Sequence, residues 1–256
     1  MHGFGELQNK KTQKSQNQLH FSIKISMEQS DSYNAKQIIS SLSHELRTPL
    51  TILSSNLQLL KDHQLKLEDE LRKETFQLCE EALHSVTHFL DDIHFLNIAN
   101  KGELRKNSKK FSINHMINYI LNDHHTKFYH SPRIKTEIHL EDDSFLSDEL
   151  LLSKAITNLL DNAYKFSGKE VWFKLTNADQ CLTIEIEDQG AGIPDGEMDM
   201  IFIPFYRCNN VKMLSGSGLG LSITQQAINC LNGEIKIEST LTKGTKVKLK
   251  ILSDDY

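Results

Sequence analysis

The chain has no long apolar run, no paired cysteines and no excess of basic residues, and each absence excludes a class of protein. None of its 256 residues falls in a stretch approaching the roughly 20 apolar residues of a membrane-spanning helix. A net charge of −5, from 29 basic and 34 acidic side chains, argues against a nucleic-acid binder held by phosphate contacts. The polar stretch 8–18 is unlike a signal peptide. We therefore expect a cytoplasmic chain without membrane contact or nucleic-acid partner, which is compatible with a membrane anchor in a longer native protein.

The four cysteines, Cys79, Cys181, Cys208 and Cys230, form no CxxC pair and stand at no zinc-ligand spacing. Reduced thiols of a cytoplasmic protein are therefore the expected state. With 38% hydrophobic and 25% charged residues, the chain can build a packed core. Its length suits about two domains of ~100–200 residues.

Apolar residues recur at steps of three and four in two successive stretches of 31–100, which predicts two helices. The segment 63–69 interrupts the pattern and predicts the turn between them. One antiparallel hairpin would leave a long apolar stripe uncovered, whereas a four-helix bundle of two copies would bury it. We therefore predict a homodimer built on 31–100. The preceding residues 1–30 are predicted to be a polar linker or remnant, with one short strand at 21–25.

From residue 101 onward the pattern mixes strands with helices instead of alternating them strictly. It predicts an α+β two-layer sandwich, with helices on one face of a mixed sheet, as a second domain over 101–256. The predicted strands are 134–140, 170–178, 181–188, 233–240 and 244–252, and the predicted helices are 114–125, 148–166 and 219–232.

The string SLSHELRTPL, residues 41–50, contains a candidate catalytic histidine. His44 points away from the apolar stripe, and the adjacent Glu45 can orient an imidazole proton so that the other ring nitrogen becomes nucleophilic. Thr48 lies one helical turn further on the same face. Pro49 cannot donate a backbone hydrogen bond and is predicted to kink the helix. The string favours a phosphoryl acceptor, while His44 alone would be read as a solvated surface histidine.

The string NLLDNAYKF, residues 158–166, places Asn158, Asn162 and Lys165 on one narrow polar face of a predicted helix. Amide oxygens are suitable ligands for a nucleotide-bound Mg²⁺, and a lysine supplies a point charge for phosphate. The alternative is an ordinary amphipathic helix. Two asparagines in the helix interior argue against this alternative, because asparagine is a poor helix former.

The string EDQGAGIP, residues 187–194, is predicted to be the end of a strand followed by a glycine turn. The Asp188 carboxylate can accept a hydrogen bond from an exocyclic amine such as that of adenine. Gly190 and Gly192 allow backbone to approach a flat base. Taken alone, such a string is usually only a turn.

A second glycine string, GSGLGL at 216–221, opens a predicted helix whose first N–H groups suit a phosphate chain. It follows IFIPFYR at 201–207 and the polar segment 207–215, which is predicted to be a lid that closes over ATP. The spacing is not that of a dinucleotide-binding fingerprint.

In this order, the strings resemble the complete signature of the catalytic core of a sensor histidine kinase, and the resemblance covers about 31–252. It implies a dimerisation and histidine-phosphotransfer hairpin, followed by the Bergerat-type ATP-binding domain shared with gyrase, a heat-shock chaperone and mismatch-repair ATPases. It also implies an ATP-dependent enzyme that phosphorylates its own histidine. The phosphoryl group then passes to an aspartate on the receiver domain of a response regulator, and the same protein can act as that regulator's phosphatase.

The resemblance assigns roles to the matching residues. His44 would be the phospho-acceptor, Glu45 its base or orienter, and Thr48 the residue that helps water attack the phosphorylated partner. The expected nucleotide-binding residues are Asn158 and Asn162 for Mg²⁺, Lys165 and Arg207 for the phosphates, Asp188 for adenine, and Gly190, Gly192, Gly216, Gly218, Leu219 and Gly220 for the pocket.

Two other classes stay open at this point. An ATPase machine of the same superfamily would use the nucleotide strings but has no need of an exposed histidine in SHELRTPL, and a scaffold would have lost turnover. The sequence departs from the family pattern in a short lid and in a final strand, GTKVKLKI, without the usual aromatic after Gly-Thr. Whether phosphorylation runs within or across the dimer depends on the turn at 63–69.

Overall fold

The structure is a computed structural model that describes residues 39–61, 69–127, 134–214 and 216–255. The predicted strand at 21–25 lies outside these ranges, as does the predicted turn at 63–69 except for Asp69. The chain forms two compact units, Met1–Thr48 and Pro49–Tyr256.

Two helices come first among the described residues. Helix α1 comprises residues 39–61 and continues through Pro49, and α2 comprises Asp69–Asn100. Large apolar side chains remain exposed on both helices: Ile39, Leu50, Ile52, Leu57, Leu71, Phe76, Leu78, Leu83 and Leu90. Among the described residues, no helix combines the length and apolar character needed to span a membrane.

The buried stripe of α2 agrees only in part with the stripe that the three- and four-residue spacing predicts, namely Leu71, Thr75, Leu78, Ala82, Ser85, Phe89 and Leu96 with Ile93 beside them. Its observed members are Thr75, Cys79, Ala82, Phe89, Asp92 and Leu96. Leu71, Leu78 and Ser85 are exposed, Leu71 and Leu78 by 46% and 41%. The stripe therefore includes a thiol and a carboxylate that the pattern did not place in it.

The remaining elements are strands and helices in mixed order. They are β1 Lys109–Ser112, α3 Ile113–Lys127, β2 Ile134–Leu140, β3 Ser144–Ser147, α4 Glu149–Phe166, β4 Val171–Ala178, β5 Cys181–Glu187, α5 Gly220–Cys230, β6 Glu234–Thr240 and β7 Gly244–Leu252. Two 3₁₀ turns, Asp195–Met200 and Asn209–Val211, lie between β5 and α5.

A five-stranded mixed sheet organises this part of the chain, in the order β2-β4-β5-β7-β6. β2 is parallel to β4, and the other pairings are antiparallel. Along β4, buried and more exposed residues alternate, so one face of the sheet is packed and the other is solvated. On β5, hydrogen bonds from Lys248 and Lys246 lower the pKa of Glu185 to about 2. The prediction of an α+β two-layer domain is confirmed.

Helix α4 packs on this sheet and begins at a side-chain cap. The Asp148 carboxylate accepts hydrogen bonds from the backbone N–H groups of Leu150 and Leu151, both at 3.1 Å. Four of its side chains have no exposed surface, namely Leu152, Ala155, Ile156 and Leu160. Burying a leucine or isoleucine side chain stabilises a fold by about 1.5–3 kcal/mol, so this face anchors α4 firmly.

An ion pair joins α2 to α4. Lys154 Nζ lies 2.8 Å from Asp92 Oδ1, while His88 Nδ1 lies 3.6 Å from Asp92 Oδ2. The Asp92 side chain is only 8% exposed, and the Lys154 ammonium also lies 5.5 Å from the centre of the Phe95 ring. Phe95 itself packs against the core of the sheet domain. The end of α2 is therefore held on the sheet domain by a charge pair and by apolar contact.

Replacing one partner of this pair should destabilise the chain. We expect Lys154→Met to lower the free energy of unfolding by about 2–3 kcal/mol, because the buried Asp92 carboxylate loses its nearest counter-charge. Urea denaturation at fixed protein concentration measures the change. Lys174→Met, which breaks an exposed pair with Glu137, is the matched control and should have a much smaller effect. Equal losses would show that Asp92 does not depend on Lys154.

Candidate functional site

A pocket opens where α4, the end of β5, the segment 201–211 and the start of α5 meet. Its wall is largely apolar and includes Leu159, Phe166, Ile186, Ile193, Ile201 and Val247. Its polar groups come from Asn162, Lys165, Asp188, Tyr206, Arg207 and Thr245. An apolar cleft with a few convergent polar groups is the usual form of a small-molecule site.

The polar face of α4 borders this pocket because its opposite face is buried. Asn162 and Lys165 line the pocket, whereas Asn158, one turn earlier, does not. The Asn158 Nδ2 group is buried, and no hydrogen-bond partner for it exists among the described residues. Lys165 Nζ lies 4.9 Å from the centre of the Phe166 ring. Side chains suited to a cation and to phosphate therefore share one end of the pocket.

The Asp188 carboxylate lies at the end of β5 and faces the pocket. Its Oδ1 accepts a hydrogen bond from the Gly190 N–H at 2.7 Å, and its own N–H donates to the Thr245 carbonyl at 2.9 Å. Burial raises the pKa of Asp188 above its usual range, and hydrogen bonds from the backbone of Gly190 and Thr245 oppose this effect. A partly desolvated carboxylate at this point is suited to accept a hydrogen bond from an amine on an apolar ring.

Two glycines allow backbone segments to meet behind Asp188. Gly192 has φ +65°, and a Cβ there would lie 2.1 Å from the Thr240 carbonyl oxygen. Gly244 has φ +117°, and a Cβ there would lie 2.0 Å from the Asp188 carbonyl oxygen. A side chain at either position would be strained and would push the turn between β6 and β7 away from the pocket.

The second glycine string leads into α5. Gly218 and Gly220 line the pocket, and Gly220 is the first residue of the helix. Of the other predicted pocket residues, Leu219 is fully buried beneath it, and Gly190 and Gly216 do not line it. The start of a helix thus faces the same space as Asn162 and Lys165, an arrangement suited to phosphate.

The segment 195–211, from the first 3₁₀ turn to the second, contains residues that sequence reasoning missed. Glu197, Tyr206 and Asn209 form one hydrogen-bonded cluster beside the pocket. Arg207 lines the pocket, and its Nη2 donates to the carbonyls of Val211 and Lys212 at 3.3 and 2.9 Å. Tyr206, the tyrosine of IFIPFYR, is the one sequence feature that could have indicated this cluster, but no spacing rule connects it to Glu197.

His44 lies on α1 with its side chain 74% exposed. Its Nδ1 is 3.9 Å from Glu45 Oε1, a distance at which the carboxylate orients the ring electrostatically without a hydrogen bond. Thr48 Oγ1 donates to the His44 carbonyl at 3.5 Å, a long bond that leaves the hydroxyl weakly held. His44 and Thr48 therefore lie one turn apart on an exposed helix surface, and the partly buried Glu45 is adjacent to His44.

Two family models match the chain in the order that the motifs predict. Residues 34–101 match the His Kinase A (phospho-acceptor) domain. Residues 147–255 match the histidine kinase-, DNA gyrase B- and HSP90-like ATPase, which implies ATP binding. The chain therefore carries the two domains of the catalytic core of sensor histidine kinases.

Individual relatives agree with this family. The phosphate regulon sensor protein PhoR of Haemophilus influenzae is 30% identical over 226 residues, which cover 83% of this chain and 50% of PhoR. The autoinducer 2 sensor kinase/phosphatase LuxQ of Vibrio vulnificus is 30% identical over 225 residues, 83% of this chain and 26% of LuxQ. The chain thus spans half the length of these relatives or less.

Among solved structures, the Acinetobacter baumannii histidine kinase AdeS aligns with a TM-score of 0.59 and 26% identity. The alignment covers 82% of this chain and 98% of that one. The prediction of a sensor histidine kinase core, with a helical hairpin followed by an ATP-binding α+β domain, is confirmed.

Asp188 should make nucleotide binding sensitive to pH. The ionised carboxylate accepts a charge-assisted hydrogen bond from the adenine amine, whereas the protonated acid accepts only a weaker one, so affinity should fall as pH drops through the pKa of Asp188. Because burial raises that pKa, the loss should begin at a higher pH than an ordinary aspartate would give.

Calorimetric titration of a non-hydrolysable ATP analogue across pH measures this effect. Asp188→Asn should weaken binding roughly tenfold at neutral pH, as expected for the loss of one charged hydrogen bond. It should also remove the Asp188 contribution to the pH profile. A variant with the wild-type profile would contradict a role for Asp188 in reading the base.

Proposed function

We propose that this chain is the catalytic core of an ATP-dependent protein-histidine kinase that phosphorylates His44 and transfers the phosphoryl group to an aspartate of a response-regulator receiver domain. The observation that carries the proposal is an exposed histidine beside a carboxylate, in a chain whose second unit holds an adenine- and phosphate-suited pocket. Residues 31–100 would be the dimerisation and phosphotransfer domain, and 101–256 the ATP-binding domain. The two family matches support this division.

The first step forms one bond and breaks another. The lone pair on His44 Nε2 attacks the γ-phosphorus of ATP, an N–P bond forms, and the bond to the β,γ-bridging oxygen breaks as ADP leaves with that electron pair. Glu45 lies on the Nδ1 side of the ring, so it favours the tautomer with its proton on Nδ1. It then stabilises or takes that proton as positive charge develops on the imidazole.

The pocket residues would bind and orient ATP for this attack. Asp188 would accept the adenine amine while the apolar wall holds the ring. Lys165, Arg207 and the first N–H groups of α5 would hold the phosphates. Asn162, with Asn158 behind it, would hold Mg²⁺, which neutralises charge on the β- and γ-phosphates when bound. The metal would take amide oxygens, whereas the buried Asn158 Nδ2, a donor without a partner among the described residues, would pair with an acceptor such as a phosphate oxygen.

Dimerisation would cover the apolar side chains that α1 and α2 leave exposed. Leu50, Leu57 and Leu83 are 48%, 51% and 57% exposed in the single chain. A bundle of two hairpins would bury such side chains, and it is the expected homodimer of the family. A cytoplasmic location is part of the same proposal, because the response regulator would have to reach His44.

A phosphatase activity would use the same helix surface. Water must be positioned to attack the phospho-aspartate of the regulator, and Thr48 can both donate and accept a hydrogen bond without becoming a nucleophile. Thr48 lies one turn from His44, so a docked regulator would contact both residues. The relative LuxQ carries both activities in its name, sensor kinase/phosphatase.

Replacement of the acceptor provides the direct test of the kinase. His44→Gln should abolish incorporation of acid-labile, base-stable phosphate from labelled ATP, because glutamine has no nucleophilic nitrogen. Binding of an ATP analogue should stay within about twofold of wild type. His94→Gln, an exposed histidine on α2, is the matched control and should keep wild-type incorporation. Acid-labile phosphate on the His44 variant would overturn the assignment.

Thr48→Ala should separate the two activities. Kinase activity should stay near wild type, whereas decay of a pre-phosphorylated regulator in the presence of ADP should slow at least tenfold, as expected when a water-positioning group is lost. Thr87→Ala on α2 is the matched control, since Thr87 Oγ1 makes the same kind of bond to the Leu83 carbonyl. If both rates fall together in Thr48→Ala, the role of Thr48 is structural, and the proposal that it serves only the phosphatase activity is wrong.

A further inference from the structure

A single buried carboxylate, that of Glu197, accepts hydrogen bonds from residues on both sides of Arg207. Glu197, on the first 3₁₀ turn, is 9% exposed. Its Oε2 accepts hydrogen bonds from Tyr206 Oη at 2.6 Å and from the Asn209 N–H at 3.0 Å. Its Oε1 accepts from Asn209 Nδ2 at 3.0 Å. One side chain thus receives three donors from two residues that lie only three positions apart.

The electrostatics of this cluster favour an ionised Glu197. The hydrogen bond from Tyr206 lowers the pKa of Glu197 despite partial desolvation. Burial, reinforced by the Glu197 carboxylate, raises the pKa of Tyr206 to about 12 and that of Cys208 to about 11. At neutral pH the cluster is therefore one carboxylate surrounded by neutral donors. Hydrogen bonds from neutral donors to an ionised carboxylate are charge-assisted and directional.

The residues tied by Glu197 flank the pocket's arginine. Tyr206 and Cys208 line the pocket together with Arg207, which lies between the two anchored residues. On the far side of Asn209, Asn210 Nδ2 donates to the Gly192 carbonyl at 2.9 Å. The residues on both sides of Arg207 are therefore tied down: Tyr206 and Asn209 to Glu197 of the first 3₁₀ turn, and Asn210 to the glycine turn after β5.

We infer that Glu197 is a positioning residue for nucleotide binding, which sets the location of Arg207 and of the first lid residues relative to the phosphates. The inference rests on the proposed function, because it takes ATP as the ligand of this pocket. Glu197 itself does not line the pocket, so it acts through Tyr206, Arg207 and Asn209. It would fix the arginine before ATP binds, which reduces the ordering cost of binding.

Four variants test this role, and each changes one side chain of the cluster, of the pocket or of the first 3₁₀ turn. Glu197→Gln keeps the size of the side chain but replaces an acceptor oxygen by an NH₂ group that opposes the donors of Asn209. Tyr206→Phe removes one donor only. Asp199→Asn changes an exposed carboxylate of the same 3₁₀ turn and serves as the control. Arg207→Met removes the group that Glu197 is inferred to position.

Affinity for a non-hydrolysable ATP analogue and for adenosine should be measured for each variant. We expect Glu197→Gln to weaken the analogue about tenfold, consistent with the loss of charge-assisted hydrogen bonds. Adenosine affinity should stay within twofold, because the base contacts Asp188 and the apolar wall. Asp199→Asn should match wild type. In an Arg207→Met background, Glu197→Gln should cause no further loss, since the arginine it positions is already absent.

Several outcomes decide the matter. A Glu197→Gln variant with wild-type affinity for the analogue overturns the role of Glu197 while leaving the proposed function intact. Equal losses for the analogue and adenosine, or additive losses with Arg207→Met, show a general structural role and also overturn it. Should Glu197→Gln fail to fold, Tyr206→Phe carries the test, with an expected loss of about threefold for the analogue only. A wild-type chain that does not bind the analogue contradicts the proposed function itself.

Discussion

The packing of α4 against the sheet determines which of its side chains face the pocket. Because Leu152, Ile156 and Leu160 are buried without exposed surface, the helix cannot rotate about its axis without exposing them. The opposite face, with Asn162 and Lys165, is then directed at the end of β5 and the start of α5 by helical periodicity alone. The direction of these two side chains is thus set by apolar burial on the far side of the same helix.

The site also depends on close backbone approach. Gly192 and Gly244 each lack the Cβ that would collide with a carbonyl of the neighbouring segment. Their contacts bring the turn between β6 and β7 against the backbone of Asp188, so this residue is held from behind as well as by the Gly190 N–H. The glycine-rich entry to α5 lines the same pocket.

Sequence reasoning recovered the elements with a strong local pattern and missed those made by distant contact. The strand 244–252 and the helix 148–166 were predicted within a residue, because period-two alternation and a capped apolar stripe are local signals. β1 and β3 have only four residues each and pair across the whole of α3 and β2, so no periodicity marks them. Likewise Asn162 and Asp188 stand in recognisable strings, but Glu197 gains its meaning only when the fold brings Tyr206 and Asn209 to it. The pairing of Asp92 with Lys154, 62 positions apart, had no signal in the chain.

The pairing of Asp92 with Lys154 makes α2 and α4 mechanically linked. Lys154 and Asn162 lie on one uninterrupted helix, about 12 Å apart along its axis at 1.5 Å per residue. A twist or slide of α2 that carries Asp92 away must either strip a buried carboxylate of its counter-charge or drag α4 with it. The first choice is costly, and the second displaces Asn162 and Lys165 relative to the rest of the pocket wall. The shape of the pocket is therefore sensitive to the position of α2.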